Sequence, residues 1–366
     1  MSRKQLCSLV PLALVIVLLS ACGPKTEGGG SSSMDASEPA VSVIAPQPDP
    51  EPEPELLPYT NPLTGEGCAT DIGRDRPVAV MINNLKKALP QLGVSQADII
   101  YECPAEGGIT RMLAVFQSVE GVGNIGSVRS AREYYVSLAA GLDAIFLHAG
   151  GSDGAYIAIK RWGVTALDCV NGPYEGSLFW RDADRKKNAG LEHSVLTSGE
   201  TIEKLFPTYS RLRRQHEEGY TAPFRFTEDG TPDSGAPASK LTVRYSDYKT
   251  GEFEYDSDSG LYQISQYGKP YIDGNNNQKV GVRNVLVLYT DVSNIPGDTA
   301  GRLDVRLKGT GSGLFLCGGQ CLEIVWSKDD NTAPMTFQTA DGKALELGVG
   351  KTYINIVGEN YKVTVE

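Results

Sequence analysis

The chain has 366 residues, 40% of them hydrophobic and 22% charged, with 7 cysteines and a formal net charge of −11. An acidic body of this kind excludes general affinity for nucleic acid, which needs a basic field. The length is ample for two cores or one large shared one, and any cluster of arginines becomes a local feature with a local purpose.

The first residues, MSRKQLCSLVPLALVIVLLSACG, set Arg3 and Lys4 ahead of an apolar run and end in small residues leading into Cys22. Residues 1–21 have the layout of a secretory signal, because the run from Leu9 to Leu19 is about half of the roughly 20 residues that a bilayer crossing needs. The tetrad Leu19-Ser20-Ala21-Cys22 resembles the bacterial lipobox, which implies lipidation of Cys22 and an extracytoplasmic chain held at the outer face of the cell membrane. Membrane contact is then expected through the lipid anchor only, and two or more acyl chains, at about 0.8 kcal/mol per buried methylene, suffice for it. Residues 22–58, Gly/Ser-rich and then alternating Pro with acid, cannot bury enough apolar surface to offset their ordering entropy. They predict a disordered, extended tether.

Residues 59–210 alternate strand and helix patterns. RPVAVMINN, DIIYEC and ITRMLAVFQ predict strands, the last with alternating faces. AREYYVSLAAGL predicts a helix, with Arg129 and Arg132 of GSVRSAREYY at its start. DAIFLHAGG predicts a strand running into glycines, and SDGAYIAIKRWG a second helix capped by Ser152 or Asp153. Thr197 and Glu200, three apart, resemble a capping box opening the helix GETIEKLF. RLRRQHEEGYTAP carries no clean period, and residues 211–235 read as a connection. Residues 236–366 are β-rich: KLTVRYS, EFEYDSDSGLYQISQYG, VGVRNVLVLYT, GRLDVRLKG, GLFLCGGQCLEIVWS, MTFQTADG and KTYINIVGENYKVTVE are strand patterns punctuated by turns. The fold class is α/β (α+β), a mixed-sheet N-terminal lobe with helices followed by a β-rich C-terminal lobe.

Once Cys7 leaves with the signal and Cys22 is lipidated, Cys68, Cys103, Cys169, Cys317 and Cys321 remain, an odd set that cannot all pair. In LFLCGGQCLEI, strands joined at Gly318-Gly319-Gln320 would bring Cys317 and Cys321 together as a hairpin disulfide. The connectivity of Cys68, Cys103 and Cys169 stays open. A metal site would want a second such pair, so no metal is expected. G-x-S-x-G, Walker and H-E-x-x-H motifs are missing as well, and no cofactor is expected.

The polar residues that could carry chemistry gather at the ends of the first lobe's elements. Glu102 closes a strand, Glu106 follows it, and Arg111 lies inside ITRMLAVFQ. Arg129 and Arg132 sit where exposed amide groups favour an anion. His148 runs into glycines and Ser152, and FWRDADRKKNAGLEHS adds Arg181, Asp182, Arg185 and His193. As an anion site, Arg111, Arg129, Arg132, Arg181 and Arg185 would supply charge-assisted bonds, with Glu106 and Ser152 alongside. Arg129 is expected to face the loop carrying His148, and Arg132 to pair with Glu102 or Glu106.

PLTGEG, RPVAVMINNLKKALPQLGVSQADIIYE, EGGITRMLAVFQ, IGSVRSAREYY, LDAIFLHAGGS and the FWRD to EHSVLTS stretch together resemble the YerB-like lipoproteins, a family of unknown function with distinct N- and C-terminal domains. NVLVLYTDV, GRLDV, GTGSGLF and KTYINIVG extend the likeness through the second lobe. The resemblance implies an outer-surface lipoprotein with sheets and helices in a three-layer arrangement, and it supplies no catalytic residues. Ser127 stands where the family pattern has proline, and Glu192-His193-Ser194 where it has Pro-His-Asn. Three functions fit the residues. The first is binding of a cell-wall or other anionic envelope component by the arginines. The second is an envelope hydrolase or transferase with His148 or His193 as base and Glu102 or Asp182 beside it. The third is a scaffold for a membrane or secreted protein partner.

Overall fold

The computed structural model describes residues 57–366, so the signal, Cys22 and nearly all of the tether lie outside the described residues. The first three strands of the large sheet in chain order are β1 (Val78–Asn83), β2 (Ile99–Pro104) and β3 (Thr110–Phe116), each buried along its whole length. Runs of this kind become central strands covered on both faces. The alternation expected of ITRMLAVFQ is therefore alternation between two cores, not between core and water.

After them come β4 (Asn124–Gly126), α1 (Glu133–Gly141), β5 (Ile145–His148), α2 (Asp153–Trp162), β6 (Ala166–Asp168), β7 (Trp180–Arg181), α3 (Ala183–Asn188), β8 (Val195–Ser198) and α4 (Gly199–Leu205). The later part supplies β9 (Lys240–Arg244), β10 (Thr250–Asp256), β11 (Leu261–Gln266), β12 (Asn284–Thr290), β13 (Gly309–Cys317), β14 (Gln320–Lys328), β15 (Thr352–Gly358) and β16 (Lys362–Val365). One eleven-stranded sheet runs β14-β13-β12-β15-β2-β3-β1-β5-β6, with Ala236–Pro237 and Thr336–Thr339 both pairing β14. Its middle joins the two halves of the chain, because β15 lies parallel to β2 with Tyr353 opposite Ile100 and Asn355 opposite Glu102. The segments read from sequence as two lobes thus share one sheet within one compact unit.

The fold is β-rich α+β in layers. Tyr134, Tyr135 and Leu138 of α1 and Ala155 of α2 pack with Ala79, Met81, Leu113 and Val115 on one face of the large sheet. On the other face, Val80, Ile82, Met112 and Ala114 pack with Leu241, Val243, Phe253 and Ile264 of the sheet β11-β10-β9-β16, and with Ile125 and Val195 of the sheet β4-β8-β7.

Three local expectations are corrected. Arg129 and Arg132 do not form a first helical turn: Asn83 N–H donates to Ser127 O (2.9 Å) and Arg129 N–H to Met81 O (2.9 Å), so the stretch before α1 is spent on β1, and Arg132 is the extended cap residue. Ser198, not Thr197, caps α4 by accepting from Thr201 N–H, while the Thr197 hydroxyl donates to Leu178 O. Cys317 and Cys321 are free. The turn takes two residues, Gly318 and Gly319, both with positive φ, which sets Cys317 opposite Gln320 and Cys321 opposite Leu316. Cys321 therefore shares a face with Leu316, and Cys317 points into the opposite core, out of bonding direction. Cys68, Cys103 and Cys169 are free as well.

The seam between β2 and β15 holds a buried ion pair. Lys249 Nζ lies 3.2 Å from Glu102 Oε1, and each side chain is 1% exposed. Glu102 Oε1 also accepts from Asn84 Nδ2 (2.8 Å) and the Thr110 hydroxyl (2.5 Å), and Oε2 from the Tyr353 hydroxyl (2.5 Å). Burial pushes the Lys249 ammonium below its usual range while Glu102 pulls it back. Lys249→Met is expected to lower stability in urea by about 3–5 kcal/mol, because it strands a buried carboxylate, and Glu102→Gln added to it to recover part of the loss. A Lys249→Met chain that unfolds at the wild-type urea concentration would remove this seam as a lock.

Candidate functional site

The carboxyl ends of the parallel strands β1, β5 and β6 open onto one cleft, the usual position for a site in a sheet of this kind. The cleft measures about 740 Å³. Lys87 enters from the turn after β1, Ala149 to Gly151 follow β5, Val170 and Asn171 follow β6, and the stretch Val128 to Arg132 forms a wall. Arg111 on β3, Glu106 from the turn before it, Arg181 on β7 and Glu192 complete the charged lining. Lys87, Arg111, Arg129, Arg132 and Arg181 thus face a cleft whose only lining carboxylates among the described residues are Glu106 and Glu192.

Glu106 is the keystone of the wall. Its Oε1 takes both Arg111 Nη2 and Arg132 Nη2, the latter at 2.5 Å, and Oε2 takes Arg132 Nε at 3.3 Å. Burial pushes the Glu106 carboxyl up, but Arg111 and Arg132 together hold it below its ordinary value. Arg111 is 3% exposed and donates also to Ser130 O, and its burial, with Arg132 close by, brings its pKa down to about 10. Of the two partners expected for Arg132, the structure selects Glu106.

Arg129 serves the opposite wall. Its Nη1 donates to Glu192 O (2.9 Å) and Oε2 (3.0 Å), a carboxylate that is 65% exposed. Arg181 donates through Nε to Glu175 (2.7 Å) and through Nη1 to Leu191 O (3.0 Å), so both arginines brace the loop ahead of β8. His193, in that loop, accepts at Nδ1 from Asn83 Nδ2 (2.7 Å), which leaves the proton on Nε2, 3.4 Å from Glu192. Burial, with Arg129 next, keeps its ring below the ordinary histidine range and neutral near pH 7.

Other expected site residues lie elsewhere. Glu102 is committed to Lys249 and does not line the cleft, and Asp182 caps α3 by accepting from Arg185 N–H (2.8 Å). Arg185 is fastened to the carbonyls of Ala88 and Pro90, and Ser152 caps α2 by accepting from Ala155 N–H. His148 is buried behind the cleft. Its Nδ1 donates to Gly150 O (2.9 Å), and its carboxylate neighbour is Asp168 at 3.8 Å, not Glu102 or Asp182. Asp168, which the sequence reading missed, holds the glycine loop by accepting from Gly150 N–H (2.8 Å), Val170 N–H (2.9 Å) and the Tyr156 hydroxyl (2.7 Å). Lys87, Tyr156 and Asn171 were missed too. Their signal is positional, since each lies just past a strand's carboxyl end or on the first turns of the helix that follows.

Models of the family described as protein of unknown function DUF3048 match this chain twice, the N-terminal domain over residues 63–211 and the C-terminal domain over residues 241–354. The chain belongs to this family. It is 38% identical over 304 residues, 81% of this chain and 85% of the relative, to a Bacillus subtilis (strain 168) protein described as "Putative lipoprotein YerB". The crystal structure of YerB protein from Bacillus subtilis superposes with a TM-score of 0.72 at 33% identity, covering 84% of this chain and 99% of that one. The large sheet joins the two matched domains, so the family's N- and C-terminal parts form one body here.

The wall makes an asymmetric prediction. Glu106→Ala leaves Arg111 buried without its carboxylate and is expected to cost about 3 kcal/mol or more. Arg132→Ala should cost less, because Arg111 stays paired. Arg129→Ala, which loses a pair with an exposed carboxylate, should shift stability by only about 0.5 kcal/mol. Urea unfolding of the three variants checks the order, and a Glu106→Ala chain as stable as wild type would contradict it.

Proposed function

We propose that this DUF3048 chain is a lipid-anchored envelope protein whose cleft binds an anionic envelope component. The observation that carries the reading is the convergence of Lys87, Arg111, Arg129, Arg132 and Arg181 on a cleft with Glu106 and Glu192, in a chain of net charge −11. A local positive lining inside an acidic body attracts small anions while discouraging indiscriminate polyanion binding. Arg111 and Arg132, clamped by one carboxylate between them, are held in place before any ligand arrives. The anchor rests on Cys22 at the end of the signal and on the lipoprotein description of the Bacillus relative. No helix among the described residues is long and apolar enough to cross a membrane.

The hydrolase reading loses its named pairs, since Glu102 is locked to Lys249 and Asp182 to its helix. The scaffold reading has no observation in its favour.

Calorimetric titration of the chain lacking residues 1–22 with sodium phosphate and with a peptidoglycan stem peptide tests the proposal. Binding that weakens with added salt, and falls about tenfold or more in Arg129→Ala/Arg181→Ala through loss of charge-assisted bonds, supports it. No binding at millimolar concentration, or binding equal in the variant, overturns it.

A further inference from the structure

A second cavity, of about 250 Å³, lies on the far side of Arg132. Arg132 lines both cavities, and the start of α2 separates them, with Gly151 and Tyr156 facing the cleft and Ser152 and Gly154 facing the second cavity. The far wall of the second cavity is the run Arg302 to Lys308, from the β-rich half of the chain. In that run Val305 and Leu307 are buried while Asp304, Arg306 and Lys308 are exposed, the alternation that turns every second side chain of an extended segment outward. Arg302, Arg306, Lys308 and Arg132 line this cavity against Glu133 and Asp304. Arg302 and Arg306 are held by Asp298 (3.4 Å) and Asp291 (2.6 Å), acids that do not line the cavity.

Two cation-lined hollows that share one arginine as their common wall suit a ligand longer than either. Resting on the anion-binding reading of the cleft, we propose that the ligand is a linear polyanion, a chain of regularly spaced phosphate or carboxylate charges that occupies the cleft, crosses Arg132 and continues into the second cavity. Arg132 is built for the crossing. Glu106 takes its Nε and Nη2 and Ala131 O takes its Nη1 at 2.7 Å, so the guanidinium stays fixed between the two hollows instead of swinging into one of them. The cleft is lined by residues of the first matched domain, 63–211, whereas the second cavity lies between that domain and the second, 241–354, which supplies its far wall, and only their fusion through the large sheet sets the two hollows side by side. A short anion fills one hollow. A long chain gains the second without a second loss of translational freedom, so its affinity per charge rises with length.

The test compares tripolyphosphate with long-chain polyphosphate, and triglutamate with polyglutamate, by titration into the chain lacking residues 1–22. Affinity per charge is expected to be about tenfold or more higher for the long member of at least one pair, through the effective concentration of the tethered segment. Which pair shows the gain tells phosphate from carboxylate polymer. Arg306→Ala/Lys308→Ala should abolish the gain and leave the short probe unchanged, whereas Arg129→Ala/Arg181→Ala should weaken short and long probes alike. Equal affinity per charge at both lengths, or a gain untouched by Arg306→Ala/Lys308→Ala, overturns the proposal while leaving the cleft as a small-anion site. Failure of every probe to bind overturns both readings.

Discussion

The buried pair of Glu102 and Lys249 is the constraint on which the rest of the molecule depends. Removing two charges from water costs several kcal/mol per ion, and their mutual attraction offsets this only when the remaining hydrogen-bonding capacity is also used. Here it is used. Asn84 and Thr110 complete one oxygen of Glu102, Tyr353 takes the other, and Gln266 Oε1 accepts from Lys249 Nζ at 2.6 Å. Every member comes from a different element, so the network closes only when β2, β15 and the approach to β10 are all in register. A slip of β15 by one residue would turn Tyr353 to the opposite face and leave the carboxylate short of a donor.

The same arrangement positions the cleft. Strand β2 runs from Glu102 straight into the turn that presents Glu106, and the far side of that turn is held by the Ser246 hydroxyl donating to Gly108 O at 2.5 Å. Ser246 lies three residues before Lys249. The C-terminal half of the chain therefore fixes, through one short loop, both the buried carboxylate at the end of β2 and the half-buried one that organises Arg111 and Arg132. The site's charges sit on N-terminal residues, but their geometry depends on the other half. This gives a physical reason for the two matched domains to occur as one body.

How much of this could be read in advance depended on how local the cause was. Apolar runs gave β1, β2 and β5, the start of a helical pattern narrowed the cap of α2 to Ser152 or Asp153, and the partner of Arg132 was narrowed to Glu102 or Glu106. Properties decided by the sheet were not legible. Arg129 lies in a stretch with helical continuation, yet its amide bonds to β1, and no local signal distinguishes the two outcomes. Cys317 and Cys321 look poised for a bridge until the two-glycine turn sets their register. Lys249, in the turn-like run YSDYKTG, reads as an ordinary surface lysine, and only the fold shows it to be fully buried. Asp168 ends β6 with no motif around it. Its role in holding the glycine loop appears only when β6 is placed beside β5.

The central claim is that both halves of this chain fold as one cooperative body pinned at the seam of β2 and β15. Differential scanning calorimetry of the chain lacking residues 1–22 tests it directly. One endotherm with equal calorimetric and van't Hoff enthalpies is the result this structure predicts. Two resolved endotherms, with the N-terminal half melting apart from the C-terminal half, would contradict it.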